Sequence, residues 1–244
     1  MKGRINQLIS YFGGPSPLVL VVVLIATAGV WLFVKLADEV REGDTQHLDE
    51  RVLRALRKPD DPGVLRGPHW VFETTRDITS LGSVTVLVLT TAGVLGYLLI
   101  TKKYHAMWLV LAATVGGLAV GSLMKFAFAR ARPTVVPHLQ DVGTASFPSG
   151  HSMYSAIVYL TLASLLSRIV PERAAKVYFI IIALVLIVLI GVSRVCLGVH
   201  YPTDVMGGWC AGMVWALVCW LTARYLQRRG AVEKDSQVTT STNR

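Results

Sequence analysis

The chain has 244 residues, of which 53% are hydrophobic, a mean hydropathy of +0.53 and a formal net charge of +9. That apolar content excludes an ordinary soluble domain, and the length suffices for one helical membrane bundle. Most of the cations flank apolar runs or fall in three short polar segments, with no aromatic-interleaved basic surface, so no nucleic-acid partner is expected.

Apolar runs long enough to cross a bilayer, about 20 residues, are predicted at 17–37, 81–101, 104–128, 152–169, 175–193 and 205–225. The first follows Lys2 and Arg4 and contains the small residues Ala26-Thr27-Ala28, as a cleavable signal would. It continues unbroken through Val34, however, beyond the roughly 7–15 residues of a signal core, so a retained helix is expected. Segment 38–80 is the one sizeable extramembrane stretch, with Asp38, Glu39, Glu42, Asp44, Asp49, Glu50, Asp60 and Asp61 among arginines and lysines. Leu48, Val52, Leu53 and Leu56 have helical spacing, and Trp70, Val71 and Phe72 follow a Pro62-Gly63 turn, so short interfacial helices are expected there. Interfacial packing is the first reading of this segment, and a lid over a substrate entrance the second.

The connections at Lys102-Lys103 and at 168–174 are short, which makes sequence neighbours antiparallel. Gly93 and Gly96, Gly116, Gly117 and Gly121, and Gly207, Gly208 and Gly212 offer small faces for close helix approach. Cys196, Cys210 and Cys219 have neither metal-ligand nor redox spacing and read as packing residues. The Ser/Thr-rich tail at 232–244 reads as disordered. The expected fold is all-α: a single domain over 1–231, an integral membrane bundle of six transmembrane helices with short interfacial helices between spans one and two. Lys2, Arg4, Lys102, Lys103, Arg168, Arg173, Lys176, Arg224, Arg228 and Arg229 then flank one face, which the positive-inside rule makes cytoplasmic. Both termini share that face, and 38–80, 129–150 and 194–203 open to the periplasm or exterior of a bacterial inner (plasma) membrane.

Those outer connections hold the three polar segments, KFAFARARP at 125–133, FPSGH at 147–151 and SRVCLGVHYPTD at 193–204. Ionisable groups at span ends are costly and mark substrate or ion pathways. Here the excess is positive, so the guest is an anion. Lys125 and Arg132 are seven residues apart, about two helical turns, and a helix ended by Pro133 would align them to hold phosphate oxygens. Taken alone, two cations snorkelling to the interface explain them better. Ser149 and Gly150 precede an apolar helix whose N-terminus can bind an anion, with His151 beside it as a proton donor; a plain Ser cap with an interfacial His is equally good. His200 and Asp204 are i and i+4, so the carboxylate can hold one imidazole nitrogen and leave the other free to attack, with Arg194 a helix end away. A capping role would explain Asp204 but neither His200 nor Arg194.

Together the segments read K-x6-R-P, P-S-G-H and S-R-x5-H-x3-D, and this three-part signature resembles that of the type 2 phosphatidic acid phosphatase superfamily, in its membrane-bound bacterial branch. The resemblance covers about 125–204. It implies a metal-independent and cofactor-free phosphatase in which His200 attacks phosphorus and Asp204 orients it. His151 is then the general acid, while Lys125, Arg132, Ser149, Gly150 and Arg194 bind the phosphoryl group. The implied partner is a membrane lipid phosphate in the bilayer: an isoprenoid diphosphate, phosphatidylglycerophosphate, phosphatidate or a lipid A phosphate. No obligatory protein partner is implied. Metal hydrolysis fits poorly with two histidines and one aspartate among Lys125, Arg130, Arg132 and Arg194, and no HExxH is present. A serine hydrolase would need the missing G-x-S-x-G elbow. Phosphoryl transfer to another lipid, or transport of an anion without covalent chemistry, are the alternatives. Arg130 is expected to do no more than meet a headgroup, and His138 and Asp141 are read as solvated loop residues.

Overall fold

A computed structural model describes residues 17–228, and these hold eight α-helices: α1 Pro17–Glu42, α2 Gln46–Ala55, α3 His69–Ser80, α4 Val84–Ile100, α5 Tyr104–Phe128, α6 Gly150–Ile169, α7 Arg173–Cys196 and α8 Pro202–Arg228. The described residues contain no strand, only an isolated antiparallel bridge between Arg57 and Leu65. The readings made for Lys2, Arg4, Arg229 and the 232–244 tail lie outside the described residues.

Helices α1, α5, α6, α7 and α8 are each long and apolar enough to cross a membrane, and α3 with α4 makes a sixth span if that pair, bent by 45°, counts as one. The chain is thus an all-helical, multi-pass membrane protein. The second span differs from the expected 81–101: Leu81–Ser83 form a break, Ser83 caps α4 by accepting from the Val86 N–H, and α3 leads in at an angle. A Ser that satisfies an orphan helical N–H competes with continued helix at that point.

Helix α6 is the hub, packed against α4, α5, α7 and α8, while α1 lies along α8. The close approach of α8 to α6 depends on missing side chains. A Cβ on Gly208 would sit 2.6 Å from the Ser149 carbonyl oxygen, and one on Gly212 would sit 2.5 Å from that of Met153. Gly93 and Gly96, read as another small face, have nothing within 4 Å of a built Cβ and face no helix closely. Large apolar side chains such as Leu24, Ile100, Leu123 and Phe126 stay exposed, as a lipid-facing mantle should.

Segment 38–80 is built into the bundle more tightly than an interfacial helix needs. Leu53 of α2 is 1% exposed in a cluster with Val136, Val195, Tyr201 and Val205, whereas Leu48, on the same apolar pattern, faces out. Asp49 of α2 is wholly buried against the start of α8. Contacts of α2 and α3 with 129–140 and 194–203 bring the three outer connections to one end of the bundle.

Candidate active site

The site lies where the ends of α5, α6, α7 and α8 meet under those connections. Lys125 stands in the last turn of α5, whose helix stops at Phe128 because Ala129 turns left-handed (φ 44°). The expected single helix face for Lys125 and Arg132 therefore does not exist: Arg132 lies in irregular chain beyond the cap. The helix ends early because the backbone past it is bonded elsewhere, Ser146 N–H donating to the Arg130 carbonyl (2.9 Å). The two cations still converge, on Thr144. Lys125 Nζ donates to its Oγ1 (3.3 Å) and to the Ala145 carbonyl (2.7 Å); Arg132 donates to the Thr144 carbonyl (2.7 Å) and Oγ1 (3.2 Å).

Ser149 is the N-cap of α6, accepting from the Ser152 N–H (3.5 Å) and hydroxyl (3.1 Å). Of the expected phosphate ligands, it and Arg194 are the buried ones. Gly150 is closely packed, since a Cβ would stand a tight 3.2 Å from the Tyr154 ring and 3.4 Å from Lys125 Cε. His151, one residue on, is half-buried beside Gly82, and its electrostatic neighbours are Arg194, His200, Lys125 and Arg132. Arg194, at the end of α7 and 1% exposed, donates to Thr79 Oγ1 (2.9 Å) and Gln140 Oε1 (2.5 Å).

His200 precedes α8 and Asp204 sits in its first turn. Pro202 opens the helix, where its missing N–H costs nothing. Asp204 Oδ2 reaches back to accept from the Tyr201 N–H (2.9 Å), so the carboxylate caps its own helix. The same oxygen lies 3.5 Å from His200 Nδ1, and the Ser146 hydroxyl bridges the pair, at 2.5 Å from Asp204 Oδ2 and 3.4 Å from His200 Nδ1. On the other side of the ring, Nε2 lies 3.4 Å from Arg132 Nη1. A guanidinium carries only donors, so it faces an imidazole lone pair, and this assigns the ring proton to Nδ1 and the free lone pair to Nε2. Burial above all pushes the His200 pKa down to about 4, against the raising influence of Asp204 and with Arg132 and Arg194 lowering it further.

The structure thus brings Lys125, Arg132, His151, Arg194, His200 and Asp204 to one place and sets Gly150 and Ser149 at its edge. Arg130 does not extend toward a headgroup. Its guanidinium lies on the Tyr201 ring (4.3 Å) and donates to Asp204 Oδ1 (2.6 Å), Thr203 Oγ1 (2.8 Å) and Asp49 Oδ2 (3.0 Å). His138 holds the Pro133 carbonyl (2.6 Å) within its own loop. Asp49, Thr79, Gln140, Thr144 and Ser146 lie outside the spaced motif and Thr203 at one of its unspecified positions, so none of them carried a signal in the sequence. Among the described residues, no group of three or more His, Cys, Asp or Glu side chains is placed to hold a metal.

A sequence profile of the PAP2 superfamily matches residues 81–228, which include every residue of the spaced motif. The chain belongs to the PAP2 superfamily. Among PAP2 relatives, phosphatidylglycerophosphatase B of Bacillus subtilis (strain 168) is 33% identical over 188 residues, 75% of this chain and 86% of that protein. A lipid A 1-phosphatase of Rhizobium johnstonii is 34% identical over 127 residues, 47% of this chain and 46% of that one. The crystal structure of a transmembrane PAP2 type phosphatidylglycerolphosphate phosphatase from Bacillus subtilis superposes with a TM-score of 0.75 at 29% identity, covering 83% of this chain and 98% of that one.

Proposed function

We propose that this protein is a lipid phosphatase that removes a terminal phosphate from a membrane lipid through a phosphohistidine on His200. The observation that carries the reading is the two-sided hold on the His200 ring, Asp204 and Ser146 at Nδ1 and Arg132 at Nε2, beside Lys125 and Arg194. In the first step Nε2 attacks phosphorus and the bond from phosphorus to the lipid oxygen breaks, His151 giving that oxygen its proton. In the second, water attacks the phosphohistidine, His151 takes the water proton, and phosphate leaves as the P–N bond breaks. Lys125, Arg132 and Arg194 meet the charge on the equatorial oxygens, and the Ser149–Gly150 helix start adds backbone donors; positioned charge of this kind carries most of the barrier lowering in phosphoryl transfer. Asp204 stabilises the positive ring that forms.

The Bacillus subtilis relative, matched over 86% of its length, is named phosphatidylglycerophosphatase B, which makes phosphatidylglycerophosphate the first candidate, ahead of lipid A phosphates, phosphatidate and isoprenoid diphosphates. Lys102, Lys103, Arg168, Arg173 and Arg224 flank the bundle end away from the site, which supports an active site facing out of the cytoplasm of an inner membrane. The test is inorganic phosphate release by detergent-purified protein in EDTA, offered these four lipid classes, beside His200→Ala. We expect release from at least one lipid and a loss of about a thousandfold or more in the variant; release that needs metal or survives the substitution would refute the mechanism.

A further inference from the structure

Asp49 belongs to α2, far in sequence from the motif, and is 0% exposed. A buried carboxylate is tolerated only when paired and hydrogen-bonded, and the partners of this one all lead to Asp204. Its Oδ1 accepts from the Thr203 N–H (3.1 Å), an orphan donor of the first turn of α8; its Oδ2 accepts from Thr203 Oγ1 (2.5 Å) and Arg130 Nη2 (3.0 Å). Arg130 in turn gives Nη1 to Asp204 Oδ1 (2.6 Å), leaving Oδ2 for His200. We propose that Asp49 and Arg130 are positioning residues for the reaction: a carboxylate–guanidinium–carboxylate chain that fixes the rotamer of Asp204 and keeps negative charge available to His200. This rests on the reading that Asp204 orients the nucleophile.

The charge count explains why two carboxylates are needed. Arg130 alone beside Asp204 would make a neutral pair and offer little to the positive ring that forms when Nε2 bonds phosphorus. With Asp49 sharing the guanidinium, the three groups sum to one negative charge. On the side of His200 and Asp204 stand Lys125 from α5, Arg132 from the α5–α6 connection, His151 from α6 and Arg194 from α7. Asp49 is thus the second carboxylate in an otherwise cationic site. The Tyr201 ring lies 4.3 Å from the Arg130 guanidinium carbon and adds a cation–π contact that helps hold it between its two acids.

The experiment measures phosphate release from phosphatidylglycerophosphate in mixed micelles by the full chain. The variants are Asp49→Asn, Arg130→Gln, Arg130→Lys, the double Asp49→Asn/Arg130→Gln, and Asp204→Asn. Each single change at 49 or 130 should lower kcat about 10- to 100-fold, the worth of a buried hydrogen bond to a charged group felt at the transition state, with KM within about threefold. The double variant should be no worse than about threefold below the poorer single, because both act through Asp204. The acid limb of the rate profile should move oppositely, to lower pH in Asp49→Asn, which removes a negative charge, and to higher pH in Arg130→Gln, which removes a positive one. Loosened packing would not split the two variants in this way. If Asp49→Asn does not fold, Arg130→Gln still reads the kcat loss and the upward move of the acid limb, a move that Arg130→Lys, which keeps the charge, should not show. Wild-type kcat in the single variants, multiplicative losses in the double, or acid limbs moving together would overturn the inference while Asp204→Asn stays inactive. An active Asp204→Asn, or no release by the wild type from any of the four lipid classes, would overturn the reading beneath it as well.

Discussion

In the proposed mechanism the attacking imidazole must offer a lone pair, so the working form of His200 is the neutral one. Burial holds its pKa down to about 4 against an ordinary 6.5, so at neutral pH the ring is ready without a base to deprotonate it. The rate profile should therefore keep kcat/KM through pH 6.5 and lose it only as pH falls through about 4; an acid limb near 6.5 would contradict the buried geometry. Stability follows the same sign. Between 6.5 and about 4 the unfolded chain takes a proton at His200 that the folded chain refuses, so the contribution of this residue is present above 6.5 and is lost as pH falls through that window. Both spaced residues, His200 and Asp204, were legible because i and i+4 spacing implies a contact. Ser146, which bridges them, was not: it precedes FPSGH with no register relation to either, and only the fold brings it there.

At the scale of elements, α2 shows how a correct helix can carry an unread role. Its apolar spacing predicted a helix, but the same pattern serves a helix on a lipid surface and one docked on protein. The docked face is set by Leu53, buried among Val136, Val195, Tyr201 and Val205, two of which flank His200 and Asp204 in sequence. Leu53→Ala should cost about 2–5 kcal/mol, as buried leucine truncations do, and lower the temperature at which phosphatase activity is lost. Leu48→Ala, on the exposed side, should change stability by no more than about 0.5 kcal/mol. Thermal unfolding of both variants in detergent checks this, and equal effects would mean that α2 is not docked. The α5 terminus failed differently. Helical spacing was extended across Ala129 to Arg132, although Pro133 restrains only its neighbour, and the tertiary bonds that turn the chain at Ala129 leave no trace in the residue order.

At the scale of the molecule, the groups of the proposed site come from four helices and the connections between them, so the proposed chemistry depends on how the bundle closes. His151 and Ser149 ride on α6, Asp204 on α8, and the two are joined directly by the Ser149 N–H donating to the Asp204 carbonyl (2.9 Å). What sets their spacing is the glycine face of α8. At Gly212 a Cβ would stand 2.5 Å from the Met153 carbonyl oxygen and 2.8 Å from the Ala156 Cβ, and backbone cannot turn aside as a side chain can. Gly212→Ala must therefore part α6 from α8, at about 1–3 kcal/mol for overpacking, and shift His151 relative to His200. Gly93→Ala meets nothing within 4 Å and removes only the helix penalty of glycine, a gain of up to about 1 kcal/mol. In the sequence these glycines were indistinguishable small residues in apolar runs; their neighbours make one a spacer and the other a passenger. Measuring kcat and detergent melting for both variants separates them. Loss of both quantities in Gly212→Ala with neither lost in Gly93→Ala ties the catalytic geometry to the α6–α8 contact, whereas matching behaviour would mean that the site is set by its outer connections alone.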